Sequence, residues 1–220
     1  MKFTENEIRN AMLLYAITDR SWLKEGESLA GVCENVLKNG ATFLQIREKD
    51  LDGDAFEKEA GELKELCGRY HVPFVVNDSV EIAMDIGADG VHVGQSDIRG
   101  RDIRAMIGPD KILGISAGTV EEARAAENAG ADYIGVGAVF GTSTKKDARN
   151  LTIEKLQEIS GSVSIPVVAI GGINRGNVKE LKGSGVYGIA VISAIFAAED
   201  PGQAARELLE LSKETVYGNE

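Results

Sequence analysis

Gln45, Arg47 and Lys49 are spaced two apart, which places an amide and two cations on one side of an extended segment. Cations gathered at one strand mouth cost folding energy unless an anion neutralises them. The competing arrangement is a surface face on which Glu48 and Asp50 balance the pair. Asp78 and Asp97 each follow a β-branched run directly. Two carboxylates on neighbouring loops suit a hard cation such as Mg²⁺, which takes one or two protein carboxylates, keeps waters and shares substrate phosphate oxygens. Asp78 could equally cap a helix over residues 79–86. Thr142, Ser143, Thr144 and Lys145 offer three hydroxyls and an ammonium after a glycine, enough to wrap a phosphate or a polar heterocycle, or simply a mobile polar loop. Gly171-Gly172 and Ile192-Ser193 each end a strand-like run. A glycine pair and a short helix start can bring backbone N–H groups against a monophosphate, although turn glycines would look the same.

Together these clusters describe two anion sites, one of them with metal ligands. That pattern fits a pyrophosphate bound with Mg²⁺ beside a separate phosphate ester. The chemistry would be displacement of pyrophosphate by a nucleophile carried on the second substrate. Neither histidine adds an acid–base device: His92, between Val91 and Val93, reads as a satisfied core residue, and His71, before Val72-Pro73, as a cap or surface residue. Neither has a nucleophile beside it, so acyl transfer lacks support.

These residues converge only if the elements carrying them share one end of a fold. One phrase recurs in the chain: Asn39-Gly40-Ala41-Thr42 before Phe43, Gly87-Ala88-Asp89 before Gly90, Gly130-Ala131-Asp132 before Tyr133, and Gly183-Ser184-Gly185 before Val186. Each copy ends a helix at glycine and starts a short strand, the grammar of a repeat-built fold. Strands are predicted at Leu13–Thr18, Phe43–Arg47, Phe74–Asn77, Gly90–Gly94, Ile112–Ser116, Tyr133–Gly137, Val167–Gly171 and Gly188–Ile192. They lack clean alternation, as parallel strands covered on both faces do. Helical patterns such as Asp54–Tyr70 and Val120–Ala129 lie between them, the latter with Thr119 as N-cap and Glu121-Glu122 in its first turn. Strict alternation predicts a single-domain α/β chain, residues 1–220, folded as a closed (β/α)8 TIM barrel, with residues 1–12 as an N-terminal helical extension. A doubly wound sheet would carry a G-x-G-x-x-G turn after its first strand, and Ile17-Thr18-Asp19-Arg20-Ser21 is not one. In a barrel, the loops that follow the strands share the catalytic face.

Composition sets outer bounds. The net charge of −11 argues against a general nucleic-acid or anionic-membrane binder and makes any local basic cluster conspicuous. No run of about 18 apolar residues suggests a membrane span. Cys33 and Cys67 have no metal-ligand spacing and read as buried reduced thiols, which with the polar start Met1-Lys2-Phe3-Thr4-Glu5 predicts a cytoplasmic protein. Oligomeric state is not legible.

From Leu14 to about Leu208 the chain resembles the thiamine-phosphate synthase family. The landmarks, in order, are Gln45-Ile46-Arg47-Glu48-Lys49, the 72–78 segment ending in Asn77-Asp78, 87–97 ending in Gln95-Ser96-Asp97, Thr142 to Asp147, Val168 to Ile173 and Val191 to Ile195. The resemblance implies a Mg²⁺-dependent transferase of thiamine biosynthesis. It would join 4-amino-2-methyl-5-hydroxymethylpyrimidine pyrophosphate to the thiazole monophosphate, 4-methyl-5-(2-phosphoethyl)thiazole, giving thiamine phosphate and pyrophosphate. It implies that Gln45 contacts the pyrimidine, that Arg47, Lys49, Asn77 and Lys145 hold pyrophosphate, and that Asp78 and Asp97 bind Mg²⁺. Ser116 would lie near the pyrimidine and the departing pyrophosphate. Thr142, Ser143 and Thr144, with Gly172, Ile192 and Ser193, would form the thiazole phosphate site. The implied reaction is dissociative, pyrophosphate leaving before the thiazole nitrogen captures the pyrimidinylmethyl cation.

The chain departs from the family pattern in places. Gly118 stands where members often carry His, and Ala138 and Gly141 where a Gly-Pro start and a Pro are usual. Ser79 replaces a frequent Arg or Asp, and Arg149-Asn150 lacks a common glycine. Gly141 gives that loop wider backbone freedom than a Pro would. A related thiazole tautomerase would want a base such as His near the fifth strand, where Gly118 stands. A sugar-phosphate isomerase would share the last phosphate site but need an acid–base pair, and a non-catalytic ligand-binding barrel would not need the metal and pyrophosphate residues.

Overall fold

The computed structural model describes residues 3–49, 51–141 and 151–218. Eight strands form a closed barrel in sequence order: β1 Leu14–Ile17, β2 Phe43–Ile46, β3 Phe74–Asn77, β4 Gly90–Val93, β5 Ile112–Ala117, β6 Tyr133–Val136, β7 Val167–Ile170 and β8 Gly188–Val191. All neighbours are parallel, and β1 closes on β8. The helices are α1 Glu5–Ala11, α2 Leu29–Lys38, α3 Gly53–Tyr70, α4 Val80–Asp85, α5 Ile103–Ile107, α6 Val120–Asn128, α7 Ile153–Ser160, α8 Ser193–Phe196 and α9 Pro201–Tyr217.

Strand parity divides the apolar core in two. Leu44, Ile46, Phe74, Val76, Val91, Val93, Ile134 and Val136 face outward and pack beneath the helices. Tyr15, Phe43, Val75, Ile112, Tyr133, Val168 and Ala190 face inward and fill the barrel. Both sets are buried, so the hydrophobic signal shows no period of two even though the geometry has one.

The recurring phrase has a hydrogen-bonding reason. In its first three copies, the backbone N–H of Thr42, Asp89 and Asp132 donates to the carbonyl of Leu14, Phe74 and Leu113 on the preceding strand. The side chains of the same residues then accept the N–H of those partners, at 2.8, 3.0 and 2.7 Å. Each phrase thereby pins its strand to the neighbour before it and satisfies donors at the barrel's lower rim. The fourth copy keeps the backbone bond, Tyr187 to Val167, but Tyr187 has no oxygen placed to return it. Gly40, Gly87, Gly130 and Gly185 all take positive φ, as left-handed helix exits require.

Helix α1 plugs the barrel's N-terminal end. Thr4 caps it in a reciprocal box with Glu7, and Ile8, Ala11 and Met12 pack against the inward-facing core. Most strands stop one residue earlier than the sequence suggests. Arg47, for example, leaves the ladder because its N–H donates to the Thr18 hydroxyl at 3.0 Å instead of a strand carbonyl. Gly171 leaves β7 because its φ of 99° turns the chain. Conversely, β5 runs on to Ala117, which pairs with Val136 of β6. Among the described residues, no helix is long and apolar enough to cross a membrane.

Candidate active site

Inward parity continues past the aromatic layer to the C-terminal mouth. Gln45 lies on the inner face of β2, 2% exposed, and donates through Nε2 to the Tyr15 hydroxyl at 2.5 Å. Asn77, His92 and Ser116 share that face on β3, β4 and β5, with Asn77 in register with His92. The structure therefore sets the strand-end residues Gln45, Asn77 and Ser116 on one inner face.

Beyond β2, the side chain of Glu48 turns the other way. It is 2% exposed and lies 3.5 Å from Arg20, whose guanidinium also pairs with Glu59 at 3.0 Å. Of the two acids considered for a neutralised surface face, Glu48 pairs with Arg20 behind the strand, and Asp50 lies outside the described residues. Among the described residues no ion pair with a carboxylate involves Arg47 or Lys49, which follow directly on β2.

Asp78 begins the loop after β3 with φ of 64°, a left-handed conformation costly for most non-glycine residues. Its N–H donates to His92 of β4 at 2.9 Å, which locks the two strand ends together. Asp78 does not cap the next helix: Ser79 does, accepting from the Ile82 N–H at 3.3 Å. The cap therefore falls one residue later than Asp78, on Ser79. On β4's loop, Asp97 accepts the Gly94 N–H through Oδ2 at 2.8 Å, and Gln95 reaches over to the Ser116 carbonyl at 2.7 Å.

Hard carboxylate oxygens on two adjacent strand ends fit Mg²⁺. Among the described residues no group of three or more acids, histidines or cysteines gathers to form an all-protein cage. A pair of carboxylates is the donor set expected of an ion that completes its shell with water and phosphate oxygens.

At the other side of the mouth, Gly171 and Gly172 are closely approached by protein main chain. A Cβ at Gly171 would fall 2.5 Å from the Ala138 Cβ, and one at Gly172 would fall 1.5 Å from the Phe140 carbonyl oxygen. The main chain that approaches these glycines is the loop after β6. Its Val139 and Phe140 N–H groups donate to the carbonyls of Ile170 and Gly171. The Gly172 carbonyl accepts from the side chains of Asn174 and Asn177. Ile192 precedes α8, which begins at Ser193 and has a single turn. Thr142, Ser143, Thr144 and Lys145 lie outside the described residues.

Sequence reasoning missed the polar chain inside the barrel. Tyr15 and Tyr133 hydroxyls lie 2.8 Å apart, Tyr133 lies 3.0 Å from His92 Nδ1, and His92 Nε2 lies 2.9 Å from the Ser116 hydroxyl. His92 is indeed satisfied, yet it leads directly to Ser116, a candidate site residue. Burial pushes both phenols well above the ordinary tyrosine value, so they remain neutral hydrogen-bonding groups. The available signal was parity: His92 is in phase with the inward-facing residues of its neighbours. His71 instead forms the left-handed C-cap of α3, and Cys33 and Cys67 are buried free thiols.

Comparison with known proteins adds an independent line. A family model described as thiamine monophosphate synthase matches residues 14–195. Thiamine-phosphate synthase of Clostridium tetani is 47% identical over 195 residues, covering 89% of this chain and 93% of that protein. The enzyme of the same name from Methanobrevibacter smithii is 46% identical over 197 residues, covering 90% and 93%. Among solved structures, thiamine phosphate pyrophosphorylase from Pyrococcus furiosus superposes with a TM-score of 0.86 at 41% identity, covering 95% of this chain and 99% of that one.

Proposed function

Because the chain belongs to the thiamine monophosphate synthase family, whose members join the pyrimidine pyrophosphate to the thiazole phosphate, we propose a division of that condensation among its own residues. Gln45 contacts the pyrimidine. Arg47, Lys49, Asn77 and Lys145 hold the pyrophosphate, and Ser116 lies between the two. Thr142, Ser143, Thr144, Gly172, Ile192 and Ser193 hold the thiazole phosphate. Asp78 and Asp97 hold Mg²⁺, which when bound would neutralise charge developing on the leaving group.

The bond between the pyrimidine methylene carbon and the pyrophosphate oxygen breaks, and the oxygen keeps the electron pair. The thiazole nitrogen then supplies its lone pair to that carbon. No proton need leave the nitrogen, so the site requires no general base. Its work is electrostatic: fixed cations and donors placed where negative charge grows. The observation that carries the assignment is the arrangement at the β2 mouth, where Glu48 is drawn off to Arg20 while Gln45 points inward. The net charge of −11 supports small anionic substrates captured locally in preference to nucleic acid or an anionic membrane. Buried reduced thiols support a cytoplasmic setting.

The test is the purified protein with both substrates and Mg²⁺. Thiamine phosphate is expected to form, and a chelator in excess of Mg²⁺ should suppress it. No product at saturating substrates and metal would sink the assignment, and undiminished product with chelator would remove the metal from it.

A further inference from the structure

The five side chains Gln45, Tyr15, Tyr133, His92 and Ser116 form one continuous hydrogen-bonded file across the barrel interior. A file of hydroxyls can run in either direction, because each donates once and accepts from the other side. An amide N–H cannot reverse, since it only donates. With Gln45 Nε2 donating to Tyr15, the Tyr15 hydroxyl donates to the Tyr133 oxygen, and the Tyr133 hydroxyl donates to His92 Nδ1. His92 Nδ1 is then an acceptor, so its single proton sits on Nε2 and is donated to the Ser116 oxygen. We propose that Gln45 sets the direction of this file, fixing His92 as the neutral Nε2–H tautomer and leaving the Ser116 hydroxyl proton to be given to the site.

Tyr15, Tyr133 and His92 are positioning residues in this arrangement. An imidazolium would donate from the far end while Gln45 donates from the near one, and one phenol proton would be left without a place in the file. Burial keeps both phenols protonated, so no link is lost by ionisation near neutrality. The backbone is also cut to fit. A Cβ at Gly114 would fall 2.3 Å from the Tyr133 hydroxyl and 2.6 Å from His92 Nδ1, and one at Gly135 would fall 3.3 Å from His92 Cε1. Glycine at both inward positions leaves the room that the Tyr133–His92 link occupies.

The recipient of the Ser116 proton rests on the synthase reading: there it would be an oxygen of the departing pyrophosphate, whose growing charge a donor stabilises and a lone pair would oppose. The direction of the file does not rest on that reading. Long-range ¹H–¹⁵N correlation on histidine-labelled protein at neutral pH reads the tautomer directly, with His71→Asn assigning the second ring, since Asn tolerates the left-handed cap. The expected result is a neutral His92 with its proton on Nε2. An Nδ1–H or doubly protonated signature would overturn the proposal; the first is what a turned Gln45 amide would produce. Tyr15→Phe cuts the file next to its source, and a mixture of tautomers is expected. An unchanged single tautomer there would show that Gln45 does not set the direction. If Tyr15→Phe fails to fold, Gln45→Met, which removes the donor and keeps both tyrosines, gives the same two outcomes. With both substrates, Tyr15→Phe should lower kcat about tenfold, the value of one oriented hydrogen bond, with KM for the thiazole phosphate unchanged. A protein that showed the Nε2–H tautomer but made no thiamine phosphate would reject the synthase assignment while leaving the file in place.

Discussion

Asp78 holds a left-handed backbone at φ of 64° in a position where glycine would be free of strain. That conformation costs an ordinary residue roughly 1–2 kcal/mol and an Asp somewhat less. Replacing it by Gly relieves the strain but adds unfolded-state entropy worth about 0.5–1 kcal/mol. The two effects oppose each other, so Asp78→Gly should leave unfolding stability within about 1 kcal/mol of the parent. Turnover should nevertheless fall by about 100-fold or more if the carboxylate holds Mg²⁺. Asp97→Ala should lose turnover as well, but with a stability cost of about 1.5–3 kcal/mol, because its carboxylate accepts the Gly94 N–H. Denaturant melts and Mg²⁺-dependent rates on the two variants separate these outcomes. Full activity in Asp78→Gly would exclude it as a needed ligand.

At the scale of elements, glycines of similar φ have unequal duties. Gly172 has φ of 67° and Gly183 φ of 78°, yet a Cβ at Gly172 would strike the Phe140 carbonyl while one at Gly183 would meet nothing within 4 Å. Gly183→Ala should cost only the conformational penalty, about 1–2 kcal/mol. Gly172→Ala adds a displaced loop after β6, bringing the cost to about 2–5 kcal/mol, and should raise KM for the thiazole phosphate. Equal melting shifts for the two would refute the packing argument. The same region shows what could be read in advance. The order of strands, the glycine helix exits and the barrel closure were legible because each depends on local chemistry repeated along the chain. That Gly171 and Gly172 accommodate the β6 loop was not, because Phe140 is thirty-two residues from Gly172 in sequence. Among the candidate residues, Gln45, Asn77 and Ser116 were singled out by their strand-end positions, and the structure sets all three on the inner face. Tyr15 and Tyr133 were hidden because their hydroxyls ride on rings that belong to the apolar core, and only barrel closure brings them to His92.

Across the whole molecule, the barrel separates what holds it together from what it does. The phrase that repeats before β2, β4, β6 and β8 makes its hydrogen bonds at the strand starts, and α1 seals the same end. The unrepeated residues lie at the strand finishes, in keeping with chemistry at the C-terminal face and stability at the N-terminal one. Ile8 tests this separation. It is 1% exposed and packs with Met12 and the inward core, at the end of the barrel opposite Gln45 and Ser116. Ile8→Ala should destabilise the fold by about 2–5 kcal/mol through the lost apolar contact and the cavity left behind. Below the variant's melting temperature, kcat and both KM values should match the parent, because the aromatic layer of Tyr15, Phe43 and Tyr133 stands between the plug and the mouth. That layer also carries the polar file from Gln45 to Ser116, so a loosened plug has one route to the chemistry. A fall in kcat at temperatures where Ile8→Ala is fully folded would mean that the plug positions the tyrosines, and that the two ends are coupled through the ring stack.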